Sequence, residues 1–190
     1  MPLTASSNTD CQEQPLLFQD LGSRKVVVDF SGGFLSSDGG ALLLRQMDAN
    51  LGLTQTLAQC FTDQRQQTFV AHAVPGLLAQ RIYGQGLGYE DVNDHNDLRR
   101  DPLLATACNK SDPLGEDRFN PAHRGIALAG ASTLNRLALS NNRNRRCHKL
   151  PHDPAKIAAC LLRMGARCLP KHAVEVVVDL DAMGHLVHGT

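Results

Sequence analysis

Ala173-Val174-Glu175-Val176-Val177-Val178-Asp179-Leu180-Asp181 is the stretch on which the reading of the fold turns. Its near-continuous β-branched run predicts a strand buried on both faces of a sheet. The strand ends in two carboxylates, Asp179 and Asp181, two residues apart and therefore on one face. A buried strand holds its last side chains rigidly where the sheet edge opens to substrate. Two carboxylates held together repel, and a divalent cation relieves the repulsion while polarising a phosphoryl oxygen. The pattern fits metal-assisted phosphoryl chemistry. It also fits a phosphatase with an aspartyl nucleophile, or a plain strand-end turn. Only Lys25-Val26-Val27-Val28-Asp29-Phe30 is a comparable strand, so the rest of the sheet is expected to be missing.

Upstream, the pattern is mostly helical. Residues 1–22 read as a loose polar leader with an apolar patch at Leu16, Leu17 and Phe18. After the 25–30 strand, Ser36-Ser37-Asp38-Gly39-Gly40 offers cap oxygens before the helix pattern Ala41-Leu42-Leu43-Leu44-Arg45-Gln46-Met47, which Gly52 closes. The glycines at 32, 33, 39 and 40 lack phosphate-loop spacing, and no Gly-Lys-Ser/Thr follows, so they are turn residues. Thr68 to Gly86 carries an apolar stripe at helical spacing, interrupted by Pro75. Asp91, Asp94, Asp97 and Asp101 with His95 resemble metal ligands, but a capped, solvated acidic helix is the expectation. Asn109 to Arg124 reads as a loop. Ser132 to Leu139 and Ala155 to Arg167 read as helices, the second capped by Asp153-Pro154 and ended by Pro170. The pair either forms a helix-turn-helix-like unit or packs as a helical collar.

The chain has 19 basic and 19 acidic residues, yet the balance is local. From His123 to His172 ten Lys and Arg face only Asp153. Such a block suits a polyanion partner, because clustered cations displace counterions from phosphates; a solvated basic surface is the plainer alternative. The cations singled out for DNA are Arg136, Arg143, Arg145, Arg146 and Lys149. Cysteines at 11, 60, 108, 147, 160 and 168 form no C-x-x-C pair, which points to reduced thiols in the cytoplasm. No apolar run reaches the roughly 20 residues of a membrane span, and the polar start is unlike a signal peptide. His185 with His188, and Cys147-His148 with His152, lack a complete zinc ligand set and are expected to be exposed and unliganded.

A family resemblance joins these pieces. Phe30-Ser31-Gly32-Gly33, Ser36-Ser37-Asp38-Gly39-Gly40-Ala41-Leu42-Leu43-Leu44, Arg81-Ile82-Tyr83-Gly84, Leu87-Gly88-Tyr89-Glu90-Asp91-Val92-Asn93-Asp94-His95 and Val178-Asp179-Leu180-Asp181-Ala182 occur in this order. From about Val26 to Gly189 they resemble the DDE transposases of the thirteen-eighty group of bacterial insertion sequences, the 87–95 string most specifically. The resemblance implies a ribonuclease-H-like catalytic domain whose three acids bind two metal ions, Mg²⁺ being the cofactor. Asp181 is the first choice for the first acid, and Asp179 the second. The family usually reads Asp-Ala-Thr and then another Asp, whereas this chain has Ala182-Met183-Gly184.

The expected fold class is therefore mostly α with a few strands: a helical amino-terminal region followed by the first strand of a truncated ribonuclease-H-like α/β domain. The expected organisation is a leader (1–22), a mainly helical region (23–122), a basic helical segment (123–172) and that first strand (173–190). The other two acids are not expected within these residues, so DNA cleavage and strand transfer are not expected of them alone. The implied partner is DNA at the transposon ends, with self-association open, at a nucleoid-associated cytoplasmic location. The alternative is a non-catalytic DNA-binding protein that recognises element ends. A metal-dependent phosphohydrolase built on Asp179 and Asp181 is a third reading.

Overall fold

A computed structural model describes residues 16–21, 24–28, 38–140, 149–170, 172 and 175. Leu16–Leu21 (β1) and Arg24–Val28 (β2) pair antiparallel, Leu17 opposite Val27 and Phe18 opposite Val26. Strand alternation leaves Leu17 and Val27 exposed and turns Phe18 and Val26 partly inward. The patch Leu16 to Phe18, read from sequence as part of a loose leader, is thus strand. Its pairing partner supplies the order that its own composition does not.

Gly40–Leu51 (α1) ends where its glycine predicts: Gly52 has φ +68°, and its N–H reaches the Asp48 carbonyl at 2.6 Å. The start differs from expectation. Gly39 occupies the cap position with no side-chain cap bond, and Asp38 lends its backbone carbonyl to the Ala41 N–H at 2.9 Å. Leu53–Ala58 (α2) follows at once. The Asp48 carboxylate ties three helices together by accepting from Thr54 N–H (2.8 Å), the Thr54 hydroxyl (2.6 Å) and the Tyr83 hydroxyl (2.7 Å). Tyr83 lies on Val74–Gly86 (α3), which begins with Pro75 in its first turn. There the missing N–H is no loss, so Pro75 starts this helix and does not interrupt it.

Val92–Asp94 forms a 3-10 turn capped by Asp91, and it runs into the short His95–Leu98 (α4). Asp101 caps Pro102–Ala107 (α5) by accepting from Leu103 and Leu104 N–H at 2.7 and 3.0 Å. Ala131–Leu139 (α6) and Pro154–Cys168 (α7) complete the helices, close to their predicted bounds.

The core has two parts. The first gathers Ala41, Tyr83, Leu98, Leu104 and Leu128; the second gathers Leu57, Leu77, Leu134, Leu137 and Cys160. Without Trp, alanines at 79, 105, 107, 127 and 129 let backbones approach closely. α3 contributes to both parts, and Ile82 packs against both. α6 rests on α3 and the 92–94 turn, while α7 rests on α2. The two helices share the second core through Leu134, Leu137 and Cys160, but each has its main packing partner elsewhere, unlike a helix-turn-helix pair. No described helix is long and apolar enough to cross a membrane. The predicted strand 173–181 lies outside the described residues except Glu175, which is exposed and in no regular element.

Candidate functional site

The string 87–97, which reads from sequence as a solvated acidic helix, is built as a clasp. Gly88 turns the chain with φ +98°, a conformation that suits glycine. Arg81 on α3 then holds the turn, donating to the carbonyls of Tyr89 (3.3 Å) and Glu90 (2.7 Å). The Tyr89 hydroxyl reaches both Asp38 carboxylate oxygens at 3.2 and 3.1 Å, and Asp91 accepts from Asn93 N–H at 2.8 Å. Farther along, the Asn96 side-chain oxygen accepts from the Ala131 N–H at 3.1 Å, and the Arg99 carbonyl accepts from Leu128 N–H at 3.1 Å.

At the centre stands His95, wholly buried at 0% exposure. Its place is the correction that the structure makes to the solvated-helix reading. Gln80, also buried, exchanges two bonds with the Ala129 backbone: its amide nitrogen donates to the carbonyl at 2.7 Å, and its oxygen accepts from the N–H at 2.9 Å. The second amide hydrogen points to His95 Nδ1 at 3.2 Å. Nδ1 therefore accepts, and the imidazole proton sits on Nε2, which is buried without a partner. Burial, followed by the positive charge of Arg81, lowers the His95 pKa to about 4. The ring fits only because residue 84 is glycine. A Cβ there would stand 2.7 Å from His95 Cε1 and 3.1 Å from Nε2.

A second polar group lines a cavity of about 230 Å³ between α1, α3 and the 108–110 turn. Its acid, Asp48, is already engaged by Thr54 and Tyr83. Its cation, Lys110, donates to the Ala71 carbonyl at 3.1 Å and lies 2.9 Å from His72 Nδ1. Burial, then the charge of Lys110, pushes the His72 pKa down to about 3. Burial likewise pushes the Cys108 thiol up to about 12, so it is no nucleophile at neutral pH. These groups hold the fold together.

The predicted site residues divide between described and undescribed parts of the chain. Asp179 and Asp181, Arg143, Arg145 and Arg146, and the pairs His185/His188 and Cys147/His148 lie outside the described residues. Arg136 is exposed on α6. Lys149 is exposed as well, and its carbonyl accepts from Gln64 N–H at 2.9 Å. His152 forms an isolated bridge with Phe61, their rings 5.3 Å apart. Cys60, Cys108, Cys160 and Cys168 are free thiols. Among the described residues no group of three or more His, Cys, Asp or Glu is arranged to hold a metal. Sequence reasoning missed Gln80. Its signal was a lone amide on an otherwise apolar helix stripe, four residues before a glycine.

The described part is thus a rigid helical platform with exposed cations on its later helices, and its acid-rich string serves architecture. Residues 18–190 match the family model described as transposase DDE domain group 1, and the chain belongs to that family. Membership ties the chain to DNA transposition. No curated protein and no solved structure matches it.

Proposed function

We propose that the chain serves DNA transposition as a DDE transposase of the thirteen-eighty group of bacterial insertion sequences. In this reading the helical body binds and orients transposon-end DNA, through Arg136, Arg143, Arg145, Arg146 and Lys149. The Val174 to Asp181 stretch is the first strand of a ribonuclease-H-like domain, with Asp181 the first choice as catalytic acid and Asp179 the second. The observation that carries the reading is the family match across 18–190, which takes in both the 87–95 string and the acid pair.

A divalent metal belongs to the family's chemistry. Paired carboxylates are hard oxygen donors that suit Mg²⁺, so Asp179 and Asp181 are the residues that would hold it. When bound, the ion polarises a phosphoryl oxygen and stabilises charge in the displacement. One strand end offers two carboxylates, whereas a two-metal centre needs several. A polypeptide of residues 1–190 is therefore expected to bind DNA without cutting or joining it.

The test uses labelled duplexes, one with element-end sequence and one random, titrated with this polypeptide in Mg²⁺. Preferred, salt-dependent binding to the end duplex supports the reading. Equal or absent binding removes the recognition role. Nicking or strand transfer by residues 1–190 alone would sink the claim that they only bind.

A further inference from the structure

We propose that α7 is a phosphate-gripping helix, whose Lys156, Arg163 and Arg167 form a second DNA-contact group in addition to the cations of residues 143–149. The proposal rests on the DNA-binding reading above and says where on the folded body the duplex lies. The three cations stand seven and four residues apart, so at 100° per residue they fall within a sector of about 40° along one side of the helix. All three are exposed. Pro154–Cys168 contains no acidic residue. The flanking Asp153 is occupied as the cap, its Oδ1 accepting from Ala155 and Lys156 N–H at 3.0 and 3.2 Å. Its Oδ2 is 3.9 Å from Lys156 Nζ, at the outer limit of an ion pair. Arg163 and Arg167 make no salt bridge and no side-chain hydrogen bond among the described residues. Five other long cationic side chains, Arg65, Arg81, Arg99, Arg118 and Lys110, are engaged instead in donating to backbone carbonyls.

The stripe is also held still. The chain enters α7 through a pinned segment in which Gln64, Thr62 and Asp153 N–H donate to the carbonyls of Lys149, Pro151 and Cys60 at 2.9, 2.8 and 3.1 Å. Cys160, with Ile157 and Met164, seats the inner face on the second core. A helix seated in this way presents its cations, Arg163 and Arg167 with no partner among the described residues and Lys156 with only the long Asp153 contact, from a fixed backbone, as a contact to a fixed polyanion requires. Eleven residues at 1.5 Å each place Lys156 and Arg167 about 16 Å apart. That span bridges a major groove roughly 12 Å wide, so the two ends reach phosphates of opposite strands. Duplex DNA is the occupant that this charge pattern and spacing favour.

The experiment compares the 190-residue chain with two variants: Lys156→Gln/Arg163→Gln/Arg167→Gln, and Arg143→Gln/Arg145→Gln/Arg146→Gln. Each is titrated against a labelled duplex by fluorescence anisotropy between about 50 and about 200 mM salt. Far-UV circular dichroism and the urea midpoint confirm the fold, and glutamine keeps the helix propensity. The α7 variant is expected to lose about 2 to 3 from the slope of log affinity against log salt, close to 0.9 for each phosphate contact. An unchanged slope in the α7 variant, with the 143–146 variant weakened, overturns this proposal and leaves the DNA reading intact. If the wild-type chain binds no duplex, the DNA reading itself falls. Because α7 also exposes Leu161 and Leu162, on other sides of the helix, phosphatidylserine vesicles form a third arm. Vesicle binding that needs the three cations, with duplex binding that does not, also overturns the proposal.

Discussion

Replacing Gly84 by alanine tests the clasp directly. In a helix interior this change ordinarily stabilises, by about 1 kcal/mol of propensity. Here the new methyl carbon would sit 2.7 Å from His95 Cε1, and the ring has nowhere to retreat at 0% exposure. Overpacking of this kind costs about 1–3 kcal/mol. Displacing the ring also breaks the 3.2 Å contact with Gln80, worth about 1 kcal/mol. The expected net effect is a loss of about 1–3 kcal/mol despite the propensity gain. Gly165 on α7 is the control, since a Cβ there meets nothing within 4 Å. Gly165→Ala is expected to stabilise by about 0.5–1 kcal/mol. Urea unfolding followed by circular dichroism measures both, and a cycle with His95→Ala isolates the coupling. If Gly84→Ala is as stable as the parent, or if its penalty survives removal of the ring, the clasp is not what fills the space beside Gly84.

Three further outcomes are expected. Gly115→Ala combines a φ of +69° with a Cβ 2.6 Å from the Ile126 backbone, so it is expected to cost more than about 2 kcal/mol; a urea midpoint within error of wild type would contradict this. Asp101→Ala removes both cap bonds of α5 and is expected to cost about 1 kcal/mol by the same assay, no loss being the refuting result. Stability is expected to fall with acid, because the folded His95 pKa of about 4 lies below the unfolded value of 6.5. The unfolded chain takes up its proton first, so this stabilisation is fully present above about pH 6.5 and is lost as pH falls toward 4. The loss is about 2 kcal/mol by pH 5. His72 acts in the same direction. Urea titrations across that window check the slope, which His95→Gln is expected to shrink; an unchanged slope would clear His95 of the effect.

The legible parts of the fold were those governed by local rules. Gly52 after an apolar run, and Asp153-Pro154 ahead of α7, carry their structural meaning within a few residues. β1 was not legible, because Leu16 to Leu21 becomes strand only by pairing with β2. Asp38 was read for a cap, yet its carboxylate holds Tyr89, 51 positions away. His95 was hidden among acids whose exposure says nothing of the ring between them. Its burial depends on Gln80 and Gly84, one turn apart on α3, and on Ala129, which holds Gln80; no local pattern ties that helix face to residue 95 or to residue 129. The acid pair was legible as chemistry and the family match covers it, but its geometry lies outside the described residues.

α3 belongs to both core clusters, and this has a consequence for how the body comes apart. Neither cluster can dissolve while the other keeps its walls, since each borrows one side of the same thirteen-residue rod. Melting will therefore be a single concerted event for the helices seated on that rod, with its amides the slowest to trade hydrogen for deuterium. α7 buries one residue, Cys160, and will fray ahead of that event. On denaturation the helix that carries the cations is thus the first to let go, before the rod beneath it unfolds.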